Sequence, residues 1–310
     1  TIVNWGVRAD NQLCFTGEVF SEIGIECVGV VEVIIPGLKA HITNECSSIT
    51  IHGIYTLTLH DGANLVSFWG LPENPELSPM FTSLDGNING IIGQGVAASP
   101  HDILGWVGSI TEINPLSGYW LKVDEVALFD IIAIQLTPWD TQYQIIEGAN
   151  LISFPDNGIC TIADAIPDSL EAHITGIISE GVAAVPNPLF GWVGSLTQFG
   201  GGVGYWLISD TDMYFNFDLN NCTESSSSLA RINHIQTEKS YIQSTEQAFY
   251  FIEDIENIES GDIVSAYCND TKVGSRAWNG SYTDIPAMGN DNSDLTKDYC
   301  TSNQVPTFRV

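Results

Sequence analysis

The sequence predicts a mainly β, multi-domain protein. Two tandem β-rich repeats, each with a short helix, are flanked by an N-terminal β segment and a C-terminal β-sandwich-like domain. Three observations predict this class. The 310 residues exceed the usual size of one domain. Residues 62–121 align without a gap with residues 148–207, and 27 of the 60 aligned residues are identical. The apolar runs are short and bounded by Gly, Pro and Asn, as in strands.

Residues 1–56 are predicted to form the N-terminal β segment. The ranges 12–20 and 27–35 have the composition of strands, and the second is strongly β-branched. Pro36-Gly37 predicts a turn after it. The range 50–59 is expected to lead into the first repeat. No residue pattern in this segment indicates chemistry.

The two repeats are placed at residues 57–134 and 143–218. In the first, strands are predicted at 64–68, 88–92, 103–107 and 119–123, the last continuing through residue 129. A short helix is predicted after residue 77, with Ser78 as its N-cap and Pro79 in its first turn. Residues 164–170 of the second repeat predict a weaker helical stretch.

Tryptophans recur at equivalent places in both copies, as Trp106 with Trp192 and Trp120 with Trp206. Such rings can be sugar-stacking platforms, but their apolar neighbours favour a role in the core. Three further tryptophans lie outside the shared pattern and are the better candidates for surface contact: Trp69, Trp139 and Trp278.

The repeat motifs also resemble a known family. They are the opening Gly62–Pro72 (GANLVSFWGLP), the middle Gly105–Ile110 (GWVGSI) and the closing Ser117–Val123 (SGYWLKV). They are similar to a module recognised by a Gly-Trp-Asn-Leu-Ile-Ser-Phe-Pro opening and a Gly-Tyr-Trp close, which occurs in secreted and cell-surface proteins of bacteria and archaea. Here Ala63 and Ala149 stand where that family usually has Trp. The resemblance implies a structural or adhesive ectodomain and no catalytic residue.

Residues 219–244 predict a linker, because they contain a serine-rich run at 223–228. Residues 245–310 predict a small β-sandwich, with a hairpin turn at Asn279-Gly280. The motifs at 247–252, 261–262 and 286–291 resemble a domain that recurs in secreted proteins of marine bacteria, with no catalytic role implied. The last residues, 305–310, have the pattern of a strand. We expect it to pair within its own sheet, and the alternative is pairing with a neighbouring molecule.

The charge excludes several functions. The 38 acidic residues outnumber the 9 Lys and Arg, so the formal net charge is −29. Binding to nucleic acid or to anionic lipid needs basic patches that this sequence does not have. No apolar run reaches the roughly 18 residues of a membrane helix. The abundant carboxylates predict either a solvated acidic coat or the collection of divalent cations. The densest oxygen cluster, in which an Asx-rich turn without metal is the alternative to calcium, is Asp291, Asn292, Asp294 and Asp298.

Seven cysteines without any CxxC pair indicate scattered disulfides in an oxidising compartment rather than a zinc or redox site. Cys268 with Cys300 and Cys160 with Cys222 are the predicted pairs. Two of Cys14, Cys27 and Cys46 are expected to pair, which leaves one over. The alternative is that all seven are buried reduced thiols.

No catalytic motif is present: the sequence has no HExxH, no Gly-x-Ser-x-Gly and no phosphate-binding loop. We therefore expect a secreted or cell-surface structural or adhesive protein that is not an enzyme. It is expected to self-associate, in a filament or surface matrix, and to need no cofactor other than calcium. The alternative is a set of carbohydrate-binding modules from a larger secreted protein.

Overall fold

The computed structural model describes residues 49–133, 135–137, 140–222 and 241–310, together with the backbone of four strands nearer the N terminus. These residues form a mainly β protein of several antiparallel sheets with three short helices, as the sequence predicts. No helix among them is long and apolar enough to cross a membrane.

The N-terminal strands form two small sheets. They are β1 (Trp5–Val7), β2 (Leu13–Phe15), β3 (Val31–Ile35), β4 (Leu38–Ile42) and β5 (Ile49–Leu59). The first two pair with each other, and β3, β4 and β5 pair in sequence order. The long strand β5 crosses the boundary placed at residues 56/57 and continues into the first repeat. The parts of the predicted strands beyond β2 and β3, and the residues Cys27 and Cys46, lie outside the described residues.

The first repeat builds a five-stranded antiparallel sheet in the order β10-β9-β8-β11-β6. Its elements are β6 (Gly62–Ser67), β7 (Gly70–Leu71), α1 (Leu77–Met80), a 3₁₀ turn (Thr82–Leu84), β8 (Ile88–Gly93), β9 (Val96–His101), β10 (Gly105–Gly108), β11 (Gly118–Val123), β12 (Ala127–Ala133) and β13 (Gln135–Leu136). Strand β12 leaves this sheet and pairs with β5, and β13 pairs with β7.

The second repeat has the same sheet, in the order β15-β21-β17-β18-β19. Its elements are β14 (Tyr143–Ile145), β15 (Gly148–Ile152), β16 (Ile159–Thr161), α2 (Ile162–Ala165), α3 (Asp168–Glu171), β17 (Ile174–Ser179), β18 (Val182–Asn187), β19 (Gly191–Gly194), β20 (Gln198–Gly200), β21 (Tyr205–Ser209) and β22 (Met213–Phe215). Equivalent strands of the two copies therefore occupy equivalent positions.

Three local predictions for the first repeat are wrong. The helix cap is Glu76 and not Ser78, because the first helical amide, of Leu77, is satisfied by the carbonyl of Thr111 across a bridge. The strand predicted from residue 103 begins at Gly105. The strand from residue 118 stops at Val123, because Asn87 accepts the amides of the next two residues and turns the chain away.

Each repeat has its own apolar core, packed between its sheet and its helical turn. Phe68 and Phe154 are fully buried at equivalent positions in these two clusters. Phe68 lies edge-on to Phe129, with 6.4 Å between the ring centroids, and Phe154 stacks on Phe199 at 5.7 Å. Each such ring contributes about 1.5–3 kcal/mol by leaving water. The two repeats thus fold two separate cores.

The C-terminal unit contains two small sheets that face each other, consistent with the predicted sandwich. Its strands are β23 (Gln247–Ile252), β24 (Ile263–Cys268), β25 (Thr271–Ala277), β26 (Thr283–Met288) and β27 (Thr307–Arg309). The hairpin predicted at Asn279-Gly280 is wrong, because the strands on either side belong to different sheets. The hairpin lies instead at Asn269-Asp270, between β24 and β25. The last strand, β27, pairs with β24 of its own sheet, as expected.

Both predicted disulfides are present. Cys160–Cys222 ties the strand β16 to the end of the second repeat, and Cys268–Cys300 ties β24 to the segment before β27. The side chain of Cys14, like the whole of Cys27 and Cys46, is not among those described, so that pairing stays a prediction. The serine-rich run 223–228 also lies outside the described residues. Tyr241, at the end of the predicted linker, is buried in the C-terminal core.

Candidate functional site

The opening motif of each repeat closes its own turn. The side-chain oxygen of Asn64 accepts the amide of His60 at 2.9 Å, and its amide group donates to the carbonyls of His60 and Gly62. Asn150 makes the same three bonds in the second repeat, to Ile146 and Gly148. Both asparagine side chains are buried, so the bonds satisfy polar groups that would otherwise be costly.

In the closing Gly-Tyr-Trp motif, the tyrosine bonds within its own repeat and the tryptophan contacts the other repeat. The Tyr205 hydroxyl accepts the amide of Gly200 at 2.7 Å, and burial raises the pKa of this phenol. Trp120 is 2% exposed and lies in an apolar cluster shared between the repeats. This cluster, which we call the inter-repeat cluster, contains Ala63, Leu65, Trp120 and Leu151, with Ile92 and Trp206 packed against it. The core role predicted for these tryptophans is confirmed for Trp120.

The two repeats contact each other reciprocally, like the halves of a two-fold dimer. The amide of Ser67 donates to the carbonyl of Gly202 at 3.1 Å, and the equivalent Ser153 amide donates to Leu116 at 3.1 Å. Equivalent bridges pair Val66 with Val203 and Ser117 with Ile152. The contacting strands β6 and β15 are the edges of their sheets. The interface thus protects both edges from other chains.

Polar side chains extend this reciprocity. Gln94 accepts the amide of Leu151 at 2.8 Å and donates to the carbonyl of Ala149. At the equivalent place, the Glu180 carboxylate accepts the amide of Leu65 at 2.9 Å and contacts His60 at 2.7 Å. The paired arrangement means that each repeat holds the edge strand of the other.

Replacing Gly204 with alanine is expected to lower the free energy of unfolding by about 1–3 kcal/mol, as overpacking of a filled interface does. A Cβ there would lie 2.7 Å from the carbonyl oxygen of Val66 in the other repeat. Urea denaturation measures the change. Gly176→Ala is the matched control, because its Cβ would meet nothing closer than 3.6 Å. Equal stability of the Gly204 variant and the wild type would show that the repeats do not pack this closely.

The C-terminal unit docks on the β18–β19 hairpin of the second repeat. Arg276 donates to the carbonyl of Gly181 at 2.6 Å and pairs with the buried Asp284 carboxylate at 3.1 Å. Ser195 donates to the same carboxylate at 2.6 Å. The side chain of Gln247 accepts the amide of Gly181 and donates to the carbonyl of Ser179. This contact covers the hairpin: Ala183 is 1% exposed and Val182 is 7% exposed.

The equivalent hairpin of the first repeat, β9–β10, is not covered by the C-terminal unit or by any other described residues. Its sequence is the same at the contacting positions, since Gly95-Val-Ala-Ala and Gly105-Trp-Val-Gly-Ser match their counterparts. Yet Val96 is 39% exposed and Val107 is 45% exposed, and Ala97 and Ser109 are also exposed. The fold therefore presents one covered and one open copy of the same β surface.

The turn of this open hairpin adds two large apolar side chains. Ile103 is 86% exposed and Leu104 is 69% exposed. The ring nitrogen Nδ1 of His101 accepts the amides of both residues, which fixes the turn. Strand β10 is also an edge of its sheet. We call β9, β10 and this turn the open hairpin.

The predicted calcium ligands do not share one orientation. The Asp291 side chain is 3% exposed and pairs with Lys122 of the first repeat at 2.8 Å. Burial opposes its ionisation, but hydrogen bonds from Lys122, Thr296 and Ser293 outweigh this effect and hold the pKa of Asp291 below its usual range.

The other three predicted ligands, Asn292, Asp294 and Asp298, are exposed. Among the described residues, no three His, Cys, Asp or Glu side chains are grouped to hold a metal ion. Calcium binding stays a prediction, and it would require Asp291 to exchange Lys122 for the cation.

The predicted surface tryptophans have different environments. Trp278 is 7% exposed in the core of the C-terminal unit, so its predicted surface role is wrong. Its amide donates to the carbonyl of Asp262, and its carbonyl accepts the amide of Gly261. Trp69 is half-buried against Tyr55, with 4.3 Å between the ring centroids. Trp139 lies outside the described residues.

The described residues define a class, a duplicated β protein whose repeats and C-terminal unit are held together by buried polar and apolar contacts. Comparison with protein-family models, curated proteins and solved structures finds no match. The resemblances noted in the sequence therefore stay predictions. Sequence reasoning missed the open hairpin, because the residues at 95–98 and 105–109 are identical to those at 181–184 and 191–195, and their difference in exposure is not visible in the sequence.

Proposed function

We propose that this protein is an extracellular structural and adhesive protein, not an enzyme, that self-associates through the open hairpin. The open hairpin itself is the observation that carries the proposal. The matching strands of the second repeat are covered by the C-terminal unit, where Val182 is 7% exposed, whereas the equivalent Val96 of the first repeat is 39% exposed. Exposed apolar patches of this kind mark sites of protein association.

An edge strand adds to this argument. Among the described strands, β10 has only β9 as a neighbour, so its other side can form backbone hydrogen bonds with a second copy. The proposed partner is a second copy of this chain. A two-fold contact between the open hairpins would close a dimer, and a head-to-tail contact that does not close would build a filament.

Location outside the cell is supported by the two disulfides, which persist in oxidising compartments. The net charge of −29 makes copies repel each other at low salt. Self-association is therefore expected to strengthen as ionic strength rises, because salt screens this repulsion.

Changing the open hairpin is expected to weaken self-association by about tenfold or more in dissociation constant, since it removes apolar area and adds an edge charge. The variant is Leu104→Ser with Val107→Lys, at positions that are 69% and 45% exposed. Analytical ultracentrifugation at several ionic strengths, with electron microscopy of the same samples, measures the effect.

The matched control is Val126→Lys with Leu128→Ser, which changes two side chains that are each 69% exposed outside the hairpin. This control is expected to associate like the wild type. A wild-type protein that remains monomeric at every protein and salt concentration would refute the proposed self-association.

A further inference from the structure

A groove of about 740 Å³ opens on the second repeat, between helices α2 and α3 and the β18–β19 hairpin. Clefts that hold small molecules have volumes of about 300–1,000 Å³. Two aromatic residues, Phe190 and Trp192, line it. The carboxylates of Asp168 and Glu171 and the hydroxyl residues Thr161 and Thr197 also line it.

Both aromatic residues of the groove are held in place. The indole nitrogen of Trp192 donates to Glu171 at 2.8 Å, which fixes the orientation of the ring. The side-chain oxygen of Asn187 accepts the amides of Leu189 and Phe190, which fixes the turn that carries Phe190. Phe190 is nevertheless 67% exposed. A preformed aromatic surface of this kind costs little ordering when a ligand binds.

The first repeat carries the equivalent tryptophan in a different setting. There, the ring of Trp106 lies 5.6 Å from Phe81, which is fully buried. The amides of Phe81 and Ile166 bond the carbonyls of Leu77 and Ile162 and so close the equivalent helical turns of the two copies. The place of the aromatic Phe81 is therefore taken by the aliphatic Ile166 in the second copy, and among the described residues no aromatic ring lies against Trp192 as Phe81 lies against Trp106.

The groove has the chemistry of a sugar site. The C–H face of a hexose is apolar and packs on aromatic rings, and its hydroxyl groups donate to carboxylate oxygens. None of the described residues that line the groove is Lys or Arg. The net charge of −29 also repels acidic polysaccharides. We infer that this groove binds a neutral glycan, which deepens the adhesive role proposed above and rests on it.

Isothermal titration calorimetry of the intact protein tests the inference. The probes are cellohexaose, mannohexaose and xylohexaose, with an alginate oligosaccharide as the acidic comparison. At least one neutral probe is expected to bind, and the alginate is not. Phe190→Ala is expected to weaken binding by roughly 3- to 12-fold, as loss of one aromatic contact does.

A second variant, Ala163→Phe, places a large side chain in the groove at an exposed position that lines it, and is expected to abolish binding without removing any core side chain. Leu189→Ala is the control, because Leu189 is 84% exposed on the same turn as Phe190 and does not line the groove. Absence of binding by all three neutral probes, or equal binding by the Ala163 variant, would overturn the inference. Ultracentrifugation of the same variants keeps this result separate from self-association, which involves the other repeat.

Discussion

Replacing Arg276 with alanine is expected to lower the free energy of unfolding by about 3–5 kcal/mol, as removal of one partner of a buried ion pair does. The Asp284 side chain is 1% exposed, and its oxygen Oδ1 is buried without a hydrogen-bond partner among the described residues. Without Arg276, Asp284 would keep only Ser195 as a side-chain donor. The carbonyls of Gly181 and Asp284 would also lose their donor.

The loss of unfolding free energy in the Arg276 variant is expected to depend on pH. Burial raises the pKa of Asp284, although the nearby Arg276 guanidinium and the Ser195 hydroxyl oppose this effect. A carboxyl with a raised pKa binds its proton more tightly in the folded protein than in the unfolded chain. Its contribution to stability is therefore full below the ordinary carboxyl pKa of about 4 and is lost as pH rises through the raised pKa. The Arg276 variant should consequently differ more from the wild type at neutral pH than at acidic pH.

Urea denaturation at several pH values measures both effects. The double variant Arg276→Ala with Asp284→Asn is the control, because it removes the stranded charge together with its partner. It is expected to be more stable than the single variant at neutral pH. If the single variant lost the same stability at every pH, the buried charge of Asp284 would not be the cause.

Removing the Cys160–Cys222 disulfide, by changing both cysteines to alanine, is expected to cost about 4 kcal/mol of unfolding free energy. The bond joins residues 62 positions apart, and closing a loop of that length restricts the unfolded chain by about this amount. The second bond, Cys268–Cys300, spans 32 positions. Its removal is expected to cost roughly half a kcal/mol less on the same argument.

Thermal and urea unfolding of the two double variants, compared with wild type, measure this order. A reducing agent should destabilise the wild type more than a variant that lacks both bonds, which checks that the effect is redox-dependent. Stability unchanged by loss of Cys160–Cys222 would indicate that the second repeat is closed by its packing alone.

The repeats were predictable from the sequence because their determinants are local. Asn64 and Asn150 close turns within four residues of themselves, and strands such as β8 and β17 follow from short apolar runs. Both disulfides followed from their placement within single units. The errors had a different origin. Trp278 and the Asn279-Gly280 turn depend on which sheet the following strand joins, and a local pattern does not contain that information.

For the candidate surfaces too, the sequence shows which residues are repeated, and only the structure shows which of them are buried. The motif Gly-Val-Ala-Ala occurs in both copies, so the sequence alone assigns them one environment. The structure buries Ala183 under the C-terminal unit and leaves the equivalent Ala97 exposed. Likewise, the gapless alignment pairs Phe81 with Pro167. Only the structure shows that Ile166 takes the place of Phe81, because the amides of these two residues close the equivalent helical turns. The contact of Phe81 with Trp106 in the first copy also follows only from the packing.

The sequence by itself determined that this protein is a duplicated, acidic, mainly β chain with two particular disulfides. Turn residues, short apolar runs and the identity between the repeats can be recognised in the sequence without knowledge of the fold. Only the tertiary structure decided which copy of each repeated surface is covered and which is open to a partner. The reason is physical: burial depends on the segment that docks from elsewhere in the chain, and identical residues take different roles when one copy is covered by that segment and the other is not.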